Sequence, residues 1–134
     1  MNESVPDTHL DLLQGPIYVQ LASNMKNGAI QVNPVWCSYD GSHVWVNSAK
    51  GRVKDRNLRA NPNVTVFAGD PENPYRWLEV RGMVDEITEE GADEHIDDLA
   101  ELYLNQRPYP FRQDTEVRVI YKIMPQRVQA IDMS

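Results

Sequence analysis

Between Lys50 and Arg59 the chain gathers Lys50, Arg52, Lys54, Arg56 and Arg59, with Asp55 as the one acid among them. Asn47 and Ser48 close a strand just ahead of this segment, Ala49-Lys50-Gly51 reads as a turn, and a helix opens near Arg52. Unpaired N–H groups at a helix start bind anions, and neighbouring Lys and Arg add charge-assisted hydrogen bonds. Ser48 adds a hydroxyl. Lys54 and Asn57, three apart in a helix, share a face with Lys50 or Gly51 in the turn before. The chemistry these residues suit is the holding of an anion. A solvated basic helix face accounts for the same pattern. The pattern GxxxxGK[ST] is absent, so nucleoside triphosphate hydrolysis has no support.

Other reactive residues form no comparable group. His9, His43 and His95 are linked by no HxH or HxxxH spacing, so no metal site is expected. Cys37 falls in a strand and reads as a small buried residue. Ser-His-Asp chemistry lacks a GxSxG elbow. Nine acids and no Lys or Arg lie between Asp85 and Glu101. They read as a solvated helix face opposite an apolar stripe. Trp36, Trp45 and Trp77 fall in strands. Trp45 and Trp77 belong to the face opposite the most apolar residues, facing either solvent, a ligand or a partner subunit, or ordinary packing.

These residues must be positioned by short elements. Ile17 to Ala22 alternates with period two, and Asn27-Gly28 is a hairpin turn. Ala29 to Tyr39 is a strand that Pro34 makes bulged or partly edge. Asp40-Gly41 turns into His43–Asn47. Val64 to Ala68 and Trp77 to Val84 are further strands. Val117 to Ile123 is another, followed by Val128 to Ile131. Three segments read as helices. One, around Val5 to Leu13, is stopped by Gly15-Pro16. The next, Arg52 to Ala60, ends at Asn61-Pro62. The longest, Thr88 to about Asn105, is capped by Thr88 and striped by Ala92, Ile96, Leu99 and Tyr103. Asn105 to Asp114 is a loop. Antiparallel strands joined by hairpins suggest a small barrel, mostly β with flanking helices, because closure removes exposed edges.

The chain has 134 residues, 41% hydrophobic and 25% charged, and is expected to form one domain over 1–134. Its formal charge of −7 argues against a nucleic-acid partner, since phosphate backbones need basic surface. Apolar runs fall far short of the roughly 20 residues of a membrane span. The acidic start, MNESVPDTHL, lacks the basic and apolar regions of a signal peptide. One cysteine excludes an internal disulfide. A soluble, cytoplasmic protein is expected. Because salt screens charge beyond about 8 Å, the acidic balance leaves one local anion site at Ser48 to Asn57 intact.

The segment NSAKGRVKDRNLRANPNVTV, preceded by AIQVNPVWCSYDG and followed by YRWLEVRGMVDEIT, resembles the pyridoxamine 5′-phosphate oxidase-like split β-barrel superfamily. The resemblance extends to DDLAELYL and to a closing strand pair VRVIYKIMPQRVQA. It is similar above all to the branch that uses the deazaflavin coenzyme F-420, the stretch Arg52 to Leu58 followed by Asn61-Pro62 being the most specific part. The resemblance implies a homodimer of FMN-binding-like split antiparallel barrels with two cofactor sites at the interface. It implies that Pro34, Val35 and Trp36 line the ring system. It implies that Ser48, Arg52, Lys54 and Asn57 hold phosphate, with Gln31, Asn47, Lys50 and Val53 beside them. Trp77 and Arg127 of a second copy would complete the pocket.

Flavin mononucleotide (FMN) enzymes of that superfamily carry Arg and Lys on the strand matching Gln31 to Trp36, where this chain has neutral Gln31 and Trp36. Their Arg-x-His substrate pair is here Arg127 followed by Gln129. The expected function is therefore hydride transfer from reduced coenzyme F-420 to a planar conjugated organic acceptor. The alternatives are an FMN-binding oxidoreductase on the same fold, and a non-catalytic flavin, haem or tetrapyrrole binding protein. No catalytic residue stands out.

Overall fold

Alternation along the strands decides which side of the sheet is buried. Val44 and Val46 are buried while Trp45 is partly exposed, and Val64, Val66 and Ala68 repeat the pattern. The computed structural model describes residues 2–134. A 3-10 turn at Asp7–His9 leads into α1 (Asp11–Gln14). Then come β1 (Val19–Asn24), β2 (Ile30–Val35), β3 (Cys37–Tyr39), β4 (Val44–Ala49), α2 (Val53–Ala60), β5 (Asn63–Asp70), β6 (Asn73–Thr88), α3 (Ala92–Leu104) and β7 (Arg118–Asp132). No helix among the described residues is long and apolar enough to cross a membrane.

All strand pairings are antiparallel, in the order β2-β1-β5-β6-β7-β4-β3, and the seven strands make a curled half-barrel. The two edges, β2 and β3, are consecutive in sequence and separated only by Trp36. Full closure, expected from the hairpins, is not reached. Pro34 has no N–H to donate, and the strand expected over Ala29–Tyr39 breaks two residues later into two edges. Tyr103 of α3 bolts this seam. Its hydroxyl accepts the Cys37 N–H at 3.1 Å and donates to the Ile17 carbonyl at 2.8 Å. Gly28 and Gly41 sit in the two hairpin turns with positive φ, which glycine adopts without a Cβ penalty.

The concave side is filled by Val19, Leu21, Val44, Val46, Val66, Leu78, Val80, Tyr121 and Ile123, with Leu12, Leu13 and Leu58 from the helices. Strand β7 is buried on both sides along Arg118–Tyr121, because α3 lies over the outer face of β4 and β7. Ile96 and Leu99 of α3 and Ile120 of β7 are accordingly all nearly inaccessible.

Several boundaries differ from the sequence reading. The first helix is split into a 3-10 turn and a short α-helix. Thr88 does not cap α3. It still pairs with Ile120 in the ladder, the helix begins at Ala92, and its cap is Gly91 with φ 75°. Ladder hydrogen bonds to β7 outcompete helix formation there. The last two strands are one continuous β7, with Val117 exposed outside it. Pro125 is tolerated within β7 because the register shifts opposite it, between Arg81 and Gly82. A Cβ at Gly82 would run into the Met124 carbonyl, so the close approach requires glycine.

Candidate functional site

The seam between β2 and β3 opens onto a cleft of about 210 Å³. Pro34, Val35 and Trp36 supply one wall, and Asn47 and Ser48 enter from the end of β4. Arg52 and Lys54 come from the start of α2, Ile96 and Leu99 from α3, and Arg118 from the start of β7. Tyr109 and Phe111 reach in from the loop between α3 and β7. Seven residues expected at a binding site from sequence thus line one cavity: Pro34, Val35, Trp36, Asn47, Ser48, Arg52 and Lys54.

The turn that presents the cations is built by Asp55. Its carboxylate accepts the Gly51 N–H at 2.9 Å, the Arg59 Nε–H at 3.0 Å and the Tyr121 hydroxyl. Gly51 has φ 90°, a left-handed conformation that suits glycine. The Asp55 carboxyl is held below the usual range by these donors, which outweigh its burial. The N-cap residue Arg52 provides no side-chain cap to α2, so the first N–H groups of the helix have no intrahelical or capping partner.

Three cations converge on the cleft. Arg118 is 4% exposed, and its Nε–H donates to Asn47 Oδ1 at 2.9 Å. Its Nη1 contacts Glu116 at 3.3 Å, and Arg52 reaches the other Glu116 oxygen at 3.3 Å. Lys54 has no carboxylate within ion-pair distance among the described residues. Its pKa is pushed down by burial first and then by Arg52 and Arg118. Burial likewise lowers Arg118, with Glu116 opposing. Repulsion between Lys54 and the two guanidinium groups makes this a place where a bound anion lowers the energy.

Behind the cleft, Asn47 also donates to the Ala92 carbonyl at 2.9 Å and to His95 Nδ1 at 3.1 Å. His95 Nε2–H then donates to Ser38 at 2.9 Å, the arrangement of a neutral imidazole. Burial pushes His95 down to about 4. A histidine of depressed folded pKa binds its proton more weakly folded than unfolded. Its contribution is thus fully present above about 6.5 and lost as pH falls towards 4. Chemical denaturation between pH 7 and 4 is expected to show a loss approaching roughly 3 kcal/mol from this group. His95→Asn should flatten that part of the profile.

The remaining expected residues lie elsewhere. Lys50 pairs with Glu89 at 3.1 Å. Val53 and Asn57 line a second cleft of about 690 Å³ with Met25, Lys26, Arg56 and Arg59. Gln31 accepts a hydrogen bond from Asn57 at 3.3 Å. Trp77 and Arg127 do not line the cleft of this chain. By register, Phe67, Glu79 and Trp77 share the outer face of β5 and β6, and Trp77 lies 5.7 Å from Phe67. Trp45 does not simply face solvent, for it packs against His95 and under Lys122. Cys37 is buried, with its thiol pushed up to about 12.

Arg118, Tyr109 and Phe111 escape sequence reasoning. Arg118 is a lone cation beside the apolar residues of a strand, and its depth depends on α3 covering that face. A signal for the two aromatics was their presence in a Pro-containing loop, which loops of purely connecting character do not require.

A curled antiparallel sheet whose seam carries a cationic, aromatic-walled cleft defines a split-barrel protein with positive charge beside flat apolar surface. The chain belongs to the pyridoxamine 5′-phosphate oxidase family, whose model matches residues 5–132, and so to a family of flavin-binding oxidoreductases. Among solved structures it is similar to an F420 reductase at 35% identity and TM-score 0.84, covering 93% of this chain and 98% of that one. A FAD-binding protein from Mesorhizobium loti shares the fold at 20% identity and TM-score 0.69, covering 100% of this chain and 99% of that one. HupZ of Group A Streptococcus does so at 17% identity and TM-score 0.70, covering 97% and 96%. A search of the curated proteins gives no match.

Proposed function

We propose that the protein is an oxidoreductase that moves a hydride from reduced coenzyme F-420 to a planar conjugated acceptor. The observation that carries this reading is the convergence of Arg52, Lys54 and Arg118 on a cleft walled by Trp36. When bound, the deazaflavin supplies the hydride. Arg52, Lys54, Ser48 and the start of α2 hold phosphate, Pro34, Val35 and Trp36 face the ring, and Ile96 and Leu99 keep water away from it. No side chain in the cleft is assigned as a proton donor.

Two features favour F-420 over FMN. Gln31 and Trp36 are neutral, and Gln31 is already engaged with Asn57. The second cleft, carrying Lys26, Arg56 and Arg59, suits a longer anionic tail that FMN lacks. The likeness to an F420 reductase points the same way. A second copy of the chain is the proposed partner. Ile30 and Val32 on the edge strand are 64% and 59% exposed, and Phe67 and Val53 are exposed as well. Apolar surface of this kind is usually covered by a partner. Light scattering is expected to report a dimer, and a monomer would contradict a shared site.

Lys54→Ala is expected to weaken F-420 binding roughly ten- to hundredfold, the worth of one charge-assisted hydrogen bond. Titration followed by cofactor fluorescence reads this directly, and unchanged affinity rejects the assigned role. Mass spectrometry of the small molecule that co-purifies tests the cofactor class independently.

A further inference from the structure

Tyr109 lines the cleft between Trp36 and Arg118. One face of Trp36 is already covered by Tyr103, with ring centres 5.1 Å apart and planes 15° apart. Tyr109 meets Trp36 edge-on at 6.1 Å and 87°. The Arg118 guanidinium lies over the Tyr109 ring at 5.3 Å. The phenol therefore fills the space between the indole and the most deeply buried cation of the cleft. The space left beside it within this chain is about 210 Å³.

The loop that carries Tyr109 is fastened to α3. Asp97 Oδ1 accepts the Tyr109 N–H at 2.9 Å and Arg112 Nη2–H at 3.0 Å. Arg112 also donates to Asp93 at 2.8 Å, and Arg107 donates to Asp98 at 2.7 Å. The acidic face of α3 is therefore not merely solvated. Three of its carboxylates hold the loop, and Asp97 holds the backbone of Tyr109 itself.

We propose that Tyr109 is a built-in competitor for the ring position, and that Asp97 is the positioning residue that latches it there. The proposal rests on the reading of the cleft as the ring site. Ligand and phenol compete for the same contacts, an indole face and a guanidinium, so binding must be coupled to release of the loop. Surface ion pairs of this kind are individually weak and screened by salt, so the latch can open without unfolding α3. The apparent affinity is then the intrinsic affinity reduced by the fraction of open molecules.

The test compares wild type with Tyr109→Ala, Asp97→Ala and Arg112→Gln, the last altering the latch from the loop side without touching α3. Stopped-flow binding uses coenzyme F-420 and FMN as probes. Amide exchange at residue 109 is measured by NMR on ligand-free protein. Tyr109→Ala is expected to bind faster and roughly tenfold more tightly. Asp97→Ala and Arg112→Gln should accelerate both association and exchange at residue 109. Weaker or unchanged binding by Tyr109→Ala overturns the competitor, making Tyr109 a wall of the site or a bystander. Unaccelerated exchange in both latch variants overturns the latch, whichever cofactor binds. Accelerated exchange with no binding of either probe by any variant supports the latch, overturns the competitor and removes the cofactor reading.

Discussion

Asp55→Ala is expected to destabilise the protein by about 3–5 kcal/mol, the largest effect of any single substitution in α2. Asp55 is 2% exposed and takes donors from three directions: Gly51, Arg59 and Tyr121. Tyr121 is fully buried, so its hydroxyl would be left without a partner in the core. Each buried donor left unsatisfied costs about 1–3 kcal/mol. The melting temperature should fall by roughly 10–20 °C, judged from domains of similar length. Asp55→Asn keeps an acceptor and should lose less. The carboxyl pKa is depressed in the fold, so its stabilisation is present above the unfolded value and lost as pH falls through the folded one. The difference between wild type and Asp55→Ala should accordingly shrink in acid. A loss below about 1 kcal/mol, measured by urea unfolding, would show that the turn does not depend on this carboxylate.

Arg118→Ala is expected to have the largest effect on ligand binding, roughly a hundredfold loss of affinity for a phosphorylated cofactor. The guanidinium is the most buried of the three cations, fixed by Asn47 and Glu116 and aimed at the cleft. Its removal also leaves Glu116, whose side chain is 7% exposed, paired only with Arg52. Glu116 then keeps only the exposed Arg52, and Asn47 loses a donor, so a stability loss of about 1–3 kcal/mol should accompany the loss of binding. Arg118→Lys separates the two roles. It keeps the charge but not the planar fork, and should recover stability better than affinity. Equal affinity in wild type and Arg118→Ala would remove this residue from the site.

The sequence made the local features legible and left the tertiary ones hidden. Period-two alternation located the strands because one side of the sheet is buried, and Asn27-Gly28 and Asp40-Gly41 marked their hairpins. Seven of the expected site residues meet in one cleft because β4, the Gly51 turn and α2 are contiguous in sequence, with the Pro34–Trp36 seam beside them. Sequence spacing puts Asn57 on the anion-facing side of α2 with Val53 nearby, yet helical rotation carries both to the cleft shared with Lys26 and Arg56. Arg118 could not be recognised as buried, because nothing in the strand itself says that α3 covers its outer face. The acidic run offered the same ambiguity. Its partners, Arg107 and Arg112, lie beyond the end of the helix, and only the fold brings them back. The helix α3 starts later than its sequence suggests because Thr88 satisfies the rules for a cap while its ladder partner, Ile120, lies 32 residues away in sequence.

The proposed ligand of the seam cleft is a phosphorylated deazaflavin. Parallel titrations of the purified protein with coenzyme F-420 and with FMN, followed by fluorescence, test it most directly. Saturable F-420 binding well below about millimolar, tighter than FMN and weakened in Lys54→Ala, is the expected result. A protein that purifies yellow with bound FMN, or one that leaves F-420 unbound at about millimolar, would contradict it.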